Sequence, residues 1–79
     1  MGYQIYIEIE TNSDIERSRI INDMVCDYII YEGLDRENEI LKFKLYPSNF
    51  INVKKAMAYI HRMLEKALDR QDYSISHSY

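Results

Sequence analysis

Residues 3–10, Tyr-Gln-Ile-Tyr-Ile-Glu-Ile-Glu, alternate along their whole length. Tyr3, Ile5, Ile7 and Ile9 fall on one side, and Gln4, Tyr6, Glu8 and Glu10 on the other. A period of two predicts a strand buried on one face only. Thr11-Asn12-Ser13-Asp14 then breaks the pattern with residues that cap helices, and Asp14 and Glu16 suit the positive end of a helix dipole. Ile20, Ile21, Met24, Val25 and Tyr28 recur at helical spacing, which predicts a helix from about residue 14 to about residue 28.

Residues 29–34 admit two structures. The helix could continue to Glu32 and stop at Gly33, a glycine C-cap with Leu34 as its hydrophobic contact. Alternatively, Ile29 to Leu34 is a short strand and Asp35 to Asn38 a hairpin turn. Ile29 and Ile30 fall off the helical stripe, and the β-branched and aromatic content favours the strand.

Residues 39–46 alternate again, with Leu41, Phe43 and Leu45 on one side and Lys42, Lys44 and Tyr46 on the other. Pro47-Ser48-Asn49 ends this strand and is expected to cap a second helix. That helix carries Phe50, Val53, Met57, Ile60, Leu64 and Leu68 on one stripe. From Asp72 onward Tyr73, Ile75, His77 and Tyr79 alternate with Ser74, Ser76 and Ser78, a last strand. Two amphipathic helices must then cover one face of a sheet whose strands are apolar on one side. The economical solution is a single α+β domain over residues 1–79, a two-layer ferredoxin-like βαββαβ sandwich. A βαβαβ sandwich with a three-stranded sheet is the alternative if residues 29–34 stay helical.

Composition narrows the class. At 79 residues, 47% hydrophobic and 29% charged, the chain is neither disordered nor collagenous. A chain this short buries only ~60% of its unfolded surface, so it needs regular packing or a partner. Abundant Ile, Tyr and Asn with three Ala resemble the product of an AT-rich genome. The lone Cys26 cannot form an intrachain disulfide, and Met1-Gly2-Tyr3 leads straight into the first strand. A reducing, cytoplasmic setting is therefore expected. No apolar run approaches the ~20 residues of a membrane span. Tyr6 stands where a myristoylation signal wants Ser or Thr.

Charge is unevenly spread. Residues 1–40 hold ten acids and three bases, and residues 41–79 hold seven bases and three acids. Opposite signs in the two halves favour protein–protein association, self-association included. A homodimer through a sheet edge or the open sheet face is expected on these grounds.

Candidate chemistry is sparse. His61 and Glu65 at i,i+4 make half a metal site, but His77 lies in another element and no further ligand is in view. Glu8 and Glu10 share a side of the first strand, where small ferredoxin-like nucleases hold a metal, but the usual Tyr-Asp context is missing. Cys26 has no basic neighbour at helical spacing to activate it. With glycine only at Gly2 and Gly33, no phosphate-binding loop exists. No metal, cofactor or catalytic residue is assigned. The sheet's outer face lacks the glycine- and aromatic-rich signature of RNA-binding domains, so direct nucleic-acid binding is not expected.

The expectation is a small non-catalytic binding protein, an acidic inhibitor or adaptor of the sort that phages and mobile elements encode. It would dock on a larger protein, one that itself binds nucleic acid, through Asp14, Glu16, Asp23, Asp27, Asp35, Glu37 and Glu39. Eight tyrosines suit an interface. Two alternatives stand beside it: an accessory or ligand-sensing regulatory subunit of a cellular enzyme, and a metal-dependent nuclease using Glu8 or Glu10.

Overall fold

A computed structural model describes residues 4–45, 52–68 and 71–78. The order is β1 (Gln4–Glu10), α1 (Asp14–Met24), β2 (Ile29–Asp35), β3 (Ile40–Leu45), α2 (Val53–Ala67) and β4 (Tyr73–Ser78). The four strands form one sheet in the order β2-β3-β1-β4, and every neighbouring pair is antiparallel. This is the ferredoxin-like α+β fold, and the three-stranded alternative is excluded because residues 29–35 pair with β3.

The pairing of β2 solves a problem of parity. Ile29 and Tyr31 lie level with Leu45 and Phe43, on the side facing the helices. Leu34, three residues after Tyr31, must face the same way to meet Leu41. Strict alternation forbids that, because side chains three apart point to opposite faces. The register shifts between Tyr31 and Gly33, leaving Glu32 as the extra residue of a bulge. Gly33 has φ +147°, a region that L side chains rarely adopt, so its glycine serves the strand and does not cap a helix.

The core lies between the sheet and the helices. Ile5, Ile7 and Ile9 of β1 and Leu41, Phe43 and Leu45 of β3 are buried with Ile29 of β2. Ile20 and Met24 of α1 and Ala56, Ile60, Leu64 and Ala67 of α2 close over them. The α2 stripe is rotated from the predicted one. Val53, Met57 and Leu68 only flank the core, while Ala56 and Ala67 sit inside it. An alanine lets the helix backbone approach the sheet in a close-packed interior, and an apolar-size criterion overlooks it.

The helix ends also differ from expectation. α1 stops at Met24, four residues early, and Val25 is an extended C-cap. Val25 and Tyr28 are consequently exposed, outside the helical stripe. The chain must leave the helix there so that Ile29 can reach Leu45 at the start of β2. Ser13 caps the N-terminus of α1, its hydroxyl accepting from Glu16 N at 3.4 Å. At α2 the cap is Asn52, accepting from Lys55 N at 2.9 Å. The expected cap at Pro47-Ser48-Asn49, and Tyr3, Tyr46, Phe50, Asp69, Arg70 and Tyr79, lie outside the described residues. Glu39 closes the β2–β3 turn with φ 58° and does not begin the strand.

Candidate functional site

Three chain segments meet where β1 ends. Glu10, Ile40 and Asp35 stand in one row across β1, β3 and β2. Glu10 N donates to Asp72 O at 2.8 Å and Thr11 N donates to Glu39 O at 3.0 Å. Thr11 is 6% exposed, and its carbonyl accepts from Nε and Nη2 of Arg17 at 3.2 and 3.0 Å. Arg17 Nη1 also reaches Asp14 Oδ1 at 2.7 Å. These bonds fix the first turn of α1 against the strand ends.

They leave a groove of about 450 Å³ lined by Glu10, Thr11, Asn12, Glu16, Glu39, Gln71 and Asp72. Four carboxylates from four parts of the chain line it, and among the described residues no Lys or Arg does. Gln71 donates its amide to Glu16, orienting one of the four. Such a concave surface carries negative potential and is suited to a cationic group of a partner. Ile15 stands on the same first turn of α1, between Asp14 and Glu16, and is 84% exposed.

The seven acids expected to form one docking end divide between the two ends of the molecule. Asp14, Glu16, Asp35, Glu37 and Glu39 belong to the groove end, on the first turn of α1 and the β2–β3 hairpin. Asp23 and Asp27 belong to the other, by the end of α1 and the start of β2. The rise of α1 from Glu16 to Asp23 separates the two groups by about 10 Å. Asp23 lies 3.4 Å from Arg19. Asp35 organises its own turn, accepting from the side-chain and backbone N–H of Asn38 and from Glu37 N. The Asn38 side-chain and backbone bonds, with smaller help from Glu37 N–H and Lys42, hold its carboxyl below the ordinary 3.8 against a slight opposing desolvation.

Sequence reasoning missed Asp72 and Ile15, and weighed Glu10 only beside Glu8 as a metal-holding acid. Glu10 reads locally as one more polar position of an alternating strand, and Asp72 lies in the basic half of the chain. Ile15 did leave a signal, an isoleucine off the stripe of Ile20, Ile21 and Met24.

The other candidates stand apart. Glu8 is level with Lys42 on the open face, where Lys44 Nζ lies 5.9 Å above the Tyr6 ring and Tyr6 donates its hydroxyl to Gln4. His61 turns to Tyr73, with Nδ1 3.4 Å from the phenol oxygen and the rings 6.1 Å apart, edge to face. Cys26 is exposed on the α1–β2 connection with Sγ 3.3 Å from Tyr59 OH, and Tyr28 packs edge-on against Tyr59 at 5.6 Å. Burial, followed by the contact with Cys26, pushes the Tyr59 phenol up to about 12. Among the described residues no three His, Cys, Asp or Glu form a group that could hold a metal. No helix among them is long and apolar enough to cross a membrane. Set against protein-family models, curated proteins and solved structures, the chain matches none of them.

Proposed function

We propose that this chain is a small non-catalytic binding protein, an acidic inhibitor or adaptor that docks on a basic surface of a larger protein. The carrying observation is the groove, where Glu10, Glu16, Glu39 and Asp72 converge with no basic residue among its described lining. Ile15, exposed on the same first turn of α1 as Glu16, supplies an apolar anchor. A partner that binds nucleic acid must display Lys and Arg, and those side chains match this end in sign. The groove end replaces the broader set of acids expected from sequence, because Asp23 lies about 10 Å from Glu16 along α1 and Asp27 lies past the end of that helix.

Charge reversal at the two ends tests the docking surface. Wild type, Glu16→Lys/Glu39→Lys and Asp23→Lys/Asp27→Lys are used to capture protein from a lysate of the source cells. The expected result is a partner held by wild type and by the Asp23/Asp27 variant, and displaced by added duplex DNA. The Glu16/Glu39 variant should bind it at least about tenfold more weakly at low salt. Ile15→Ala should weaken the same complex without lowering the melting temperature, since its side chain is exposed. Equal binding by both charge-reversal variants, or a partner that DNA does not displace, would overturn the proposal.

A further inference from the structure

The sheet has two edge strands, β2 and β4. Each presents a row of backbone N–H and C=O groups to the side, and proteins that stay monomeric blunt such edges with bulges, charges or proline. β2 carries these devices. Its pairing is broken by the bulge between Tyr31 and Gly33, Glu32 is exposed there, and Asp35 ends the strand. β4 reads Tyr-Ser-Ile-Ser-His-Ser, with no Asp, Glu, Lys, Arg or Pro. Its register with β1 runs unbroken from Ile9↔Tyr73 to Gln4↔Ser78. Among the described residues, β1 is the only strand beside it.

We infer that the outer edge of β4 pairs antiparallel with β4 of a second copy, about a twofold axis normal to the sheet. Symmetry makes a demand that this strand meets. Residues near the axis lie against their own copies, so a charge there is repelled by itself, and β4 has no Asp, Glu, Lys or Arg to be repelled. Parity limits the choice to registers that set one residue opposite its own copy, and Ile75, the apolar residue in the middle of β4, is the one placed on the axis. Directly opposed residues of an antiparallel pair point to the same face, and the axis keeps both helix layers on one side. Ile75 then lies opposite its own copy, Tyr73 opposite His77, and Ser74 opposite Ser76. Tyr73 is 45% exposed on the helix side, and this register covers it. Ser74 and Ser76 are exposed on the open face and meet across the axis as hydroxyl pairs. The product is a continuous eight-stranded sheet with the protected β2 edges at its two ends. This inference is argued from the β4 edge alone and does not rest on the docking function.

Two measurements test it. Sedimentation equilibrium of wild type should show a species of twice 9.5 kDa, dissociating on dilution. Ser74→Lys/Ser76→Lys brings four like charges together across the axis and should give a folded 9.5 kDa species with unchanged circular dichroism. Ser74→Lys/Ser76→Glu sets opposite signs face to face and should restore the doubled mass. Amide exchange identifies the surface. In the dimer every N–H from Ser74 to His77 should exchange slowly, whereas a bare edge protects only alternate ones. Wild type at 9.5 kDa at every concentration would overturn the inference and leave the edge to a strand of another protein. A dimer with alternating β4 protection would overturn it too, and place the contact on the open face or elsewhere.

Discussion

The two helices cover the same sheet by different means. α2 has 15 residues, and Ala56, Ile60, Leu64 and Ala67 form a continuous buried stripe. α1 has 11 residues and buries only Ile20 and Met24. Directional bonds supply what its apolar face lacks. Arg17 holds the Thr11 carbonyl at the exit of β1, and Arg19 Nη1 donates to Ala67 O, the last residue of α2, at 2.6 Å. Arg19 Nη2 is buried, with no hydrogen-bond partner among the described residues. Tyr59 completes the attachment by meeting Cys26 and Tyr28 just beyond α1. Hydrophobic burial is non-directional and tolerates a helix that slides or rotates slightly. Hydrogen bonds to particular carbonyls do not. The less hydrophobic helix is thus seated by geometry, and its first turn brings Glu16 to the groove.

If this contrast holds, the largest loss comes from the α2 stripe. Leu64→Ala should cost about 2–5 kcal/mol in urea unfolding, which a domain this small barely withstands. A cost under about 1 kcal/mol would mean that the stripe does not hold the helix. Arg19→Met keeps most of the aliphatic stem and removes the donor to Ala67 O. It should cost about 1 kcal/mol, the scale of one partly exposed hydrogen bond, and no change would make α1 a helix held by Ile20 and Met24 alone.

The smallest effect is alkaline. Tyr59 has its pKa raised from 10.0 to about 12, so the fold favours the neutral phenol. That contribution is complete below about pH 10 and is lost as pH rises from 10 towards about 12. Absorbance of tyrosinate should show the Tyr59 phenol ionising near the top of this range. Tyr59→Phe should remove that step and flatten the fall in melting temperature above pH 10. A titration unaltered by Tyr59→Phe would detach Tyr59 from the α1–β2 connection.

Much of the architecture was legible because its signals are local. The alternation of Ile5, Ile7 and Ile9, and of Leu41, Phe43 and Leu45, specifies two strands and their inner faces. A cap within Thr11–Asp14 was readable from residue type, as was the strand preference of Ile29 and Ile30. The rotation of the α2 stripe was not, since Ala56 and Ala67 are apolar enough to bury but too small to dominate a pattern. The early end of α1 was hidden for a related reason. Val25 and Tyr28 continue the helical spacing, yet β2 must begin at Ile29 to meet Leu45.

What the amino-acid order determined alone was the identity of every element but β2, the buried sides of β1 and β3 and the total charge of each half, since each depends on neighbours a few residues apart. Tertiary structure decided which charges meet. Glu10 and Asp72 lie at opposite ends of the chain, and Glu39 comes from a hairpin between the helices, yet antiparallel pairing of β1 with β3 and β4 brings all three to one groove. Asp23 and Asp27, close to Glu16 in sequence, are carried away by the rise of the helix between them. Electrostatic surfaces depend on distance through space. Only the strand order and register, set by burial of the apolar faces, convert the order of charges along the chain into that distance.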